Sequence, residues 1–304
     1  MPFFSVIIPL FNKEKYIFDT LKSVINQIFV DFEIIIINDG SSDNSLDIVK
    51  SFNDERIKIL NQKNLGLCRS RNNGIKASKG KFIAFLDADD LWTEDFLQTI
   101  YNLINNYNDY KVFATNVKLL PKNKIANLNS KNFNFELTTV ISNYFNICKN
   151  IFGPSSLVIN KNIFEDVGYF NEIVNYGEED DFYIRCFTNY NIIYYKDFKS
   201  YYRIGVENQL TAPNINFDRK IPDYELYLNK YNHKDLKKFI DYVYFRLVVL
   251  FKMEKNYKLV NFYKNKINPS NLSLVQKIKF YLPTDLFYNT KKIYIWFSKT
   301  FIHS

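Results

Sequence analysis

Two periods of hydrophobicity alternate along the first 117 residues. Apolar runs of strand length recur at residues 3–10, 32–37, 56–60, 81–86 and 111–115, and the stretches between them carry apolar positions at helical spacing. One such stretch sets Tyr16, Leu21, Val24, Ile25 and Ile28 on a single face, and another, from about 43 to 52, is expected to start behind a Ser42 cap. Strand, helix, strand in this rhythm predicts an α/β fold built on a mainly parallel sheet flanked by helices. Residues 118–150 break the rhythm with an Asn- and Lys-rich connection, read as a mobile or partner-contacting segment with one helix expected near 137–147. Order then resumes with strands at 155–160 and 192–195 and helices at 161–167 and 178–189. From about 217 the pattern is helical, interrupted by Pro269 and Pro283.

In open sheets of this kind ligands bind outside the carboxyl ends of the strands, so the segments just after each strand are where chemistry is sought. Here they read Pro9-Leu10-Phe11-Asn12, Asn38-Asp39-Gly40-Ser41, Asn61-Gln62-Lys63-Asn64-Leu65-Gly66 and Asp87-Ala88-Asp89-Asp90. All four are expected along one edge. Asp87 and Asp89, at i and i+2 where the fourth strand ends, suit a hard divalent cation, Mg²⁺ or Mn²⁺, which takes one or two carboxylates plus phosphate oxygens and water. The plainer reading is that Asp87, Asp89 and Asp90 cap a helix starting near Thr93. Asp39 can accept a hydrogen bond from a base N–H, and Gly40 lets the backbone turn sharply. A plain turn explains the same four residues. Arg71 offers a fixed charge for phosphate, unless it is an ordinary surface charge of its helix. No GxGxxG follows the first strand, which excludes a dinucleotide-binding Rossmann unit, and no P-loop is present.

Composition changes the picture in three places. Cys68, Cys148 and Cys186 form neither an even framework nor a CxxC pair, which points to ordinary thiols in a reducing compartment. The absence of a long uncharged apolar run and of a charged leader predicts a chain that neither spans a membrane nor carries a signal peptide. Of the net charge of +8, the basic part lies C-terminally, with 17 Lys and Arg against 7 Asp and Glu over 216–304 and 23 against 25 before that. From 255 on there are nine Lys and one acid, Asp285, interleaved with Phe280, Tyr281, Leu282, Leu286, Phe287, Tyr288, Ile293, Tyr294, Ile295, Trp296, Phe297, Phe301 and Ile302. That mixture suits an anionic membrane surface, or amphipathic helices packed on the protein or on a second subunit.

Taken in order, Ser5-Val6-Ile7-Ile8-Pro9, residues 32–43 around Asn38-Asp39-Gly40-Ser41, residues 64–74 from Asn64-Leu65-Gly66 to Arg71-Asn72-Asn73-Gly74, and Asp87-Ala88-Asp89 resemble the family 2 glycosyltransferases of the GT-A fold over roughly residues 4–211. The resemblance implies that Asp39 contacts the nucleotide base, most often uracil, that Asp87 sits near the ribose and that Asp89 binds the metal. Pro9, Phe11, Asn12, Asn64, Arg71 and Ala88 would complete the nucleotide-sugar site. Further on, Gly177-Glu178-Glu179-Asp180-Asp181-Phe182-Tyr183-Ile184-Arg185 is similar to the family's acidic motif, with Glu179 where an Asp is usual. A shift of one residue would use Asp180, so the general base is Glu179 or Asp180. The bare alternative is four acids favouring a helix N-terminus. A second departure is at Tyr202-Arg203-Ile204, where Gly205 and Val206 replace the family's frequent His.

The resemblance implies transfer of a sugar from a nucleotide-diphosphate donor, a UDP-sugar by preference, to a hydroxyl of a saccharide or lipid-linked saccharide in surface glycan synthesis, with inversion and a divalent metal. Two alternatives stand beside it: a catalytically inactive nucleotide-sugar-binding module, and a sugar nucleotidyltransferase, which would need a Gly-rich loop after the first strand. The expected organisation is a catalytic domain over 1–215, its donor half about 1–117 and its acceptor half about 118–215, followed by a basic, aromatic helical region over 216–304. A cytoplasmic location is expected, peripheral on the inner face of the cell membrane if the C-terminal region docks there. No nucleic-acid partner is expected, and self-association is left open.

Overall fold

The computed structural model describes residues 1–130, 132–207 and 209–301, with side chains as far as Lys292. Over the first half the order is β1 (Phe4–Leu10), α1 (Ile17–Ile25), β2 (Phe32–Asp39), α2 (Ser45–Lys50), β3 (Ile57–Gln62), α3 (Leu67–Ala77), β4 (Phe82–Phe85), β5 (Leu91–Trp92), α4 (Phe96–Asn106) and β6 (Val112–Pro121). There follow β7 (Thr138–Ile141), β8 (Leu157–Asn160), α5 (Ile163–Val167), α6 (Glu178–Phe187) and β9 (Ile192–Ile204). Among the described residues these nine strands form one sheet, ordered β3-β2-β1-β4-β8-β6-β9-β5, with β7 also paired to β9. The longer pairings are parallel (β1 with β2 and β4, β2 with β3, β6 with β9) and the short ones antiparallel. The expected mainly parallel α/β sheet flanked by helices, with a helical C-terminal region, is what forms.

Strand β1 is buried along its whole length, as a central parallel strand must be. Phe4, Val6, Ile8 and Leu10 share one core with Ile17, Leu21 and Val24 of α1 and with Phe96, Leu97, Ile100 and Leu103 of α4. Ile7 points to the other face, where α3 lies so close that a Cβ on Gly74 would come within 2.4 Å of Ile7 Cγ2. Both faces of β1 are thereby covered, and the segment that follows it emerges at the carboxyl edge of the sheet.

Several local expectations are corrected. Residues 138–141 form a strand in place of the helix expected over 137–147, because Thr138, Thr139, Val140 and Ile141 are β-branched and find a partner in β9. Ser42 does not cap α2: its backbone N–H and hydroxyl reach Asn12 Oδ1, and the helix starts at Ser45, whose N–H goes to Asp43 Oδ1 at 3.0 Å. Ile28 lies beyond the end of α1 and is half-exposed. Strands β6 and β9 run on past residues 115 and 195, through register shifts at Thr115–Val117 that hide the alternation from the sequence.

Contacts divide the chain into two compact units. The first takes residues 1–144, 150–207 and 220–222; the second takes the described residues of 145–149, 208–219 and 223–304. The second unit is helical: α7 (Glu225–Lys230), α8 (Leu236–Met253), α9 (Tyr257–Lys266), α10 (Leu274–Tyr281) and α11 (Thr284–Phe301). Its core is the apolar length of α8, against which α9, α10 and α11 pack. The ammonium of Lys252, buried in α8, donates to the carbonyls of Lys279, Phe280 and Leu282 at 2.7, 2.9 and 2.5 Å and so closes the end of α10. No helix among the described residues is long and apolar enough to cross a membrane. The side chains of Ile293, Tyr294, Ile295, Trp296, Phe297 and Phe301 and the whole of Ile302 lie outside the described residues.

Candidate functional site

The four segments expected along one edge do meet there, at the carboxyl ends of β1, β2, β3 and β4. After β1, Asn12 takes a left-handed conformation (φ 50°) and is tied to the turn after β2: its N–H donates to Ser41 Oγ at 3.2 Å, and its Oδ1 accepts from Ser42 N at 2.8 Å. Pro9 is buried inside β1, whereas Phe11 is exposed on the rim. At the end of β2, Gly40 has φ 74°, and a Cβ there would stand 3.0 Å from the backbone nitrogen of Asn64. The positive φ favours glycine here, and the close approach to Asn64 adds to it.

Asp39 is buried and is the anchor of the β3–α3 loop. Its Oδ1 accepts from Gln62 Nε2 and Leu65 N, both at 2.7 Å, and its Oδ2 from Gly66 N at 2.9 Å. An ionised carboxylate offers about four acceptor positions, so three engaged leave one for a further N–H.

Arg71, expected either at a phosphate or on the surface, is fully buried, which excludes the surface reading. Its guanidinium gathers the two acidic segments: Nη2 lies 3.0 Å from Asp87 Oδ1 and 3.5 Å from Glu179 Oε1, and Nη1 lies 3.5 Å from Glu178 Oε1. The ring of Phe170 backs it at 5.4 Å. Among the described residues its Nε and Nη1 find no hydrogen-bond partner. Burial costs this cation hydration, and the three carboxylates more than offset the loss, so its pKa is raised.

The acid cluster at the start of α6 divides by task. Asp181 is held by Arg185 at 2.8 Å, and Arg185 also donates to the carbonyls of Val167, Gly168 and Tyr169. That pair is architecture. The Asp180 side chain belongs to a buried residue, whereas the Glu179 side chain is 37 % exposed. Burial raises Glu179 from the ordinary carboxylate range to about 8, Glu178, Asp87 and Asp180 adding to it and Arg71 opposing it. An acid of this kind takes a proton readily near neutral pH.

Asp87, Ala88, Asp89 and Asp90 form the loop after β4 and do not cap α4, which starts behind Asp95. Ala88 is buried, its carbonyl accepting from Thr20 Oγ1 at 3.1 Å. Asp87 and Asp89 separate in partner: Asp87 faces Arg71, while Asp89 Oδ2 is held at 2.7 Å by the ammonium of Lys13. Asp90 is wholly structural, accepting from Ser155 Oγ at 2.6 Å and from Arg203 N at 2.9 Å. Arg203 Nε also donates to the carbonyl of Asp89 at 2.8 Å. Neither Lys13 nor Arg203 was among the site residues expected from the sequence. The only signal for Lys13 is its position one residue after the Asn12 turn.

A hard divalent cation fits this donor set only in part. Among the described residues no three His, Cys, Asp or Glu side chains converge on one point. Asp89, paired with Lys13, is the one carboxylate of the loop not engaged by Arg71 or by Ser155, and Mg²⁺ or Mn²⁺ can be held by one or two carboxylates together with substrate phosphates. The residues present thus suit a metal that arrives with a diphosphate.

The sequence pattern described as glycosyl transferase family 2 matches residues 5–167, more than half of the chain. Glycosyltransferase GlyA of Streptococcus pneumoniae is 39 % identical over 105 residues, 34 % of this chain and 15 % of GlyA. The Escherichia coli protein WfgD, a UDP-Glc:α-D-GlcNAc-diphosphoundecaprenol β-1,3-glucosyltransferase, is 36 % identical over 119 residues, 37 % of this chain and 47 % of WfgD. Each match spans less than half of the relative's length. Among solved structures, Staphylococcus aureus TarS 1–349 in complex with UDP-GlcNAc superposes with a TM-score of 0.65 at 19 % identity, covering 97 % of this chain and 92 % of that one. The likeness shows a shared fold of the GT-A type, helical C-terminal region included. The ordered motifs, the sheet that collects them at one edge and the family match over residues 5–167 agree: this chain belongs to glycosyl transferase family 2.

Proposed function

We propose that the chain transfers a sugar from a UDP-sugar to a hydroxyl of a saccharide or lipid-linked saccharide, with inversion, in glycan synthesis. The observation that carries this reading is the buried Arg71, which brings Asp87 of the donor loop and Glu179 of the acidic helix to one guanidinium, beside the loop anchored by Asp39. UDP as the donor nucleotide is supported by the UDP-Glc in the name of WfgD and by the UDP-GlcNAc bound in TarS.

In this reading Asp39 uses its remaining acceptor position on the base, Asn12, Asn64 and the turn at Gly40 line the nucleoside, and Asp87 lies toward the ribose. Asp89 holds a divalent cation with the diphosphate, which supplies charge neutralisation of the leaving group when bound. Glu179 takes the proton of the acceptor hydroxyl. Its exposure favours it over the buried Asp180. The exchange of Glu for Asp at this position and the Gly205-Val206 pair in place of a His also suit an inactive nucleotide-sugar-binding module.

The C-terminal unit supplies a docking face for an anionic membrane on the cytoplasmic side, where a lipid-linked acceptor would be presented. On α10 the exposed Leu274, Val275, Ile278 and Tyr281 fall within about 120° of arc at ~100° per residue, bordered by Lys277 and Lys279. Phe280, on the opposite side, is buried.

A panel of nucleotide sugars with and without Mg²⁺ or Mn²⁺ tests the activity. The expected result is metal-dependent release of UDP from one donor, accelerated by a saccharide acceptor. Pyrophosphate release from a nucleoside triphosphate and sugar phosphate would identify a nucleotidyltransferase instead, and tight donor binding without any release an inactive module.

A further inference from the structure

Lys13 is built into the site and not merely near it. Its backbone N–H donates to Ser45 Oγ at 2.7 Å, and its carbonyl accepts from the N–H groups of Tyr16 and Ile17 at 2.9 Å each, so its Cα is fixed between the Asn12 turn and the start of α1. From that base the side chain reaches Asp89 Oδ2 at 2.7 Å, with the Lys13 side chain 20 % and the Asp89 side chain 12 % exposed. Around this pair stand Asp87 and Asp90, one engaged by Arg71 and the other by Ser155 and the Arg203 backbone. The ammonium therefore sits on the one carboxylate in the donor loop not committed to Arg71 or to the protein frame.

A divalent cation that binds Asp89 competes with that ammonium for the charge of the same carboxylate. Mg²⁺ gives up its water reluctantly, and a single carboxylate already paired with a cation offers it little. A nucleoside diphosphate changes the balance: it brings phosphate oxygens to the metal and at the same time an anion to which a lysine, a point charge on a flexible four-carbon stem, can move. We infer that Lys13 is an internal counter-ion of Asp89, which makes divalent-metal binding conditional on the donor diphosphate and passes to that diphosphate when the metal arrives. Lys13 is in this sense a positioning residue for the site. The inference rests on the reading of Asp89 as the metal ligand.

The test is Mn²⁺ uptake by the folded full chain, read as loss of the free-ion electron paramagnetic resonance signal, with no turnover involved. Without nucleotide, the wild type and Lys13→Arg should bind Mn²⁺ weakly, and Lys13→Met about tenfold or more tightly, the range of an ordinary coupling between sites. Lys13→Gln repeats the comparison should the methionine variant not fold. With UDP present the wild type should take up Mn²⁺ at least as tightly as the neutral variants, because the phosphate oxygens reach the metal in every variant while only an intact Lys13 also pairs with the diphosphate, so the gain on adding UDP is larger in the wild type. Equal Mn²⁺ affinity of wild type and both neutral variants without nucleotide overturns the inference, as does a wild type that binds Mn²⁺ alone as tightly as with UDP. If Asp89→Asn leaves uptake in the presence of UDP unchanged, the metal is not at Asp89. The proposed donor site and the inference then fall together, a result distinct from failure of Lys13 alone.

Discussion

Asp39 and Glu179 show how one functional group, the carboxylate, is used for opposite purposes within one site. Asp39 accepts from three N–H donors, so it anchors a loop and still presents an acceptor. Glu179 is partly exposed and faces three carboxylates and one arginine, and the hydration it loses, together with the repulsion of those carboxylates, raises its pKa to about 8. The sign follows directly: the base acts only when ionised, so kcat/KM should rise about tenfold per pH unit below about 8 and level off above. Glu179→Gln should lower kcat by roughly 10² or more and abolish that limb, with donor affinity kept, whereas Asp180→Asn should leave the limb in place. A pH–rate profile of the three proteins decides it, and the reverse pattern would move the base to Asp180. The sequence brought the choice down to two neighbours; only the fold shows which of them is open to solvent and which is enclosed.

Elements in this chain are fixed as much by close approach as by propensity. The turn between α3 and β4 runs so near β1 that a Cβ on Gly80 would lie 2.6 Å from both Phe4 C and Ser5 N. These are backbone atoms and cannot rotate away. Gly80→Ala should therefore destabilise the protein by about 1–3 kcal/mol, measured by urea unfolding, and a neutral result would mean that β1 can shift without loss. The same turn is held by Ser5, whose hydroxyl accepts from Gly80 N and donates to Glu33 on β2. Gly74, read in the sequence as part of a family motif, has a packing reason as well, its contact with Ile7. Such reasons are invisible in the sequence because they depend on which element lies opposite. The same holds for β7, where a weak helical pattern yielded to a strand once β9 offered an edge to pair with.

At the scale of the whole molecule the charge is divided unequally, and two lysines of the basic last fifty residues, Lys277 and Lys279, border an exposed apolar stripe on α10. Flotation with anionic vesicles at low salt should carry the intact protein, and the binding should fall with added salt, each engaged Lys being worth about 1 kcal/mol. Leu274→Asp combined with Ile278→Asp should abolish it without unfolding, since both side chains are exposed. An intact protein that ignores anionic vesicles at low salt would leave the stripe to a protein partner. What the sequence by itself determined was the alternation of strand and helix, hence the parallel sheet, and the order of motifs at the strand ends, hence the edge that carries the site. Both follow from local period and from chain direction, which need no knowledge of distant partners. The tertiary structure decided the rest: that Arg71 is buried among three carboxylates, that Asp90 and Asp181 are framework while Glu179 is not, and that Lys13 holds Asp89. Those outcomes depend on which charges the fold brings together, Lys13 and Asp89 across 76 residues of sequence among them, and on how much water is excluded where they meet, and neither quantity is written in a local pattern.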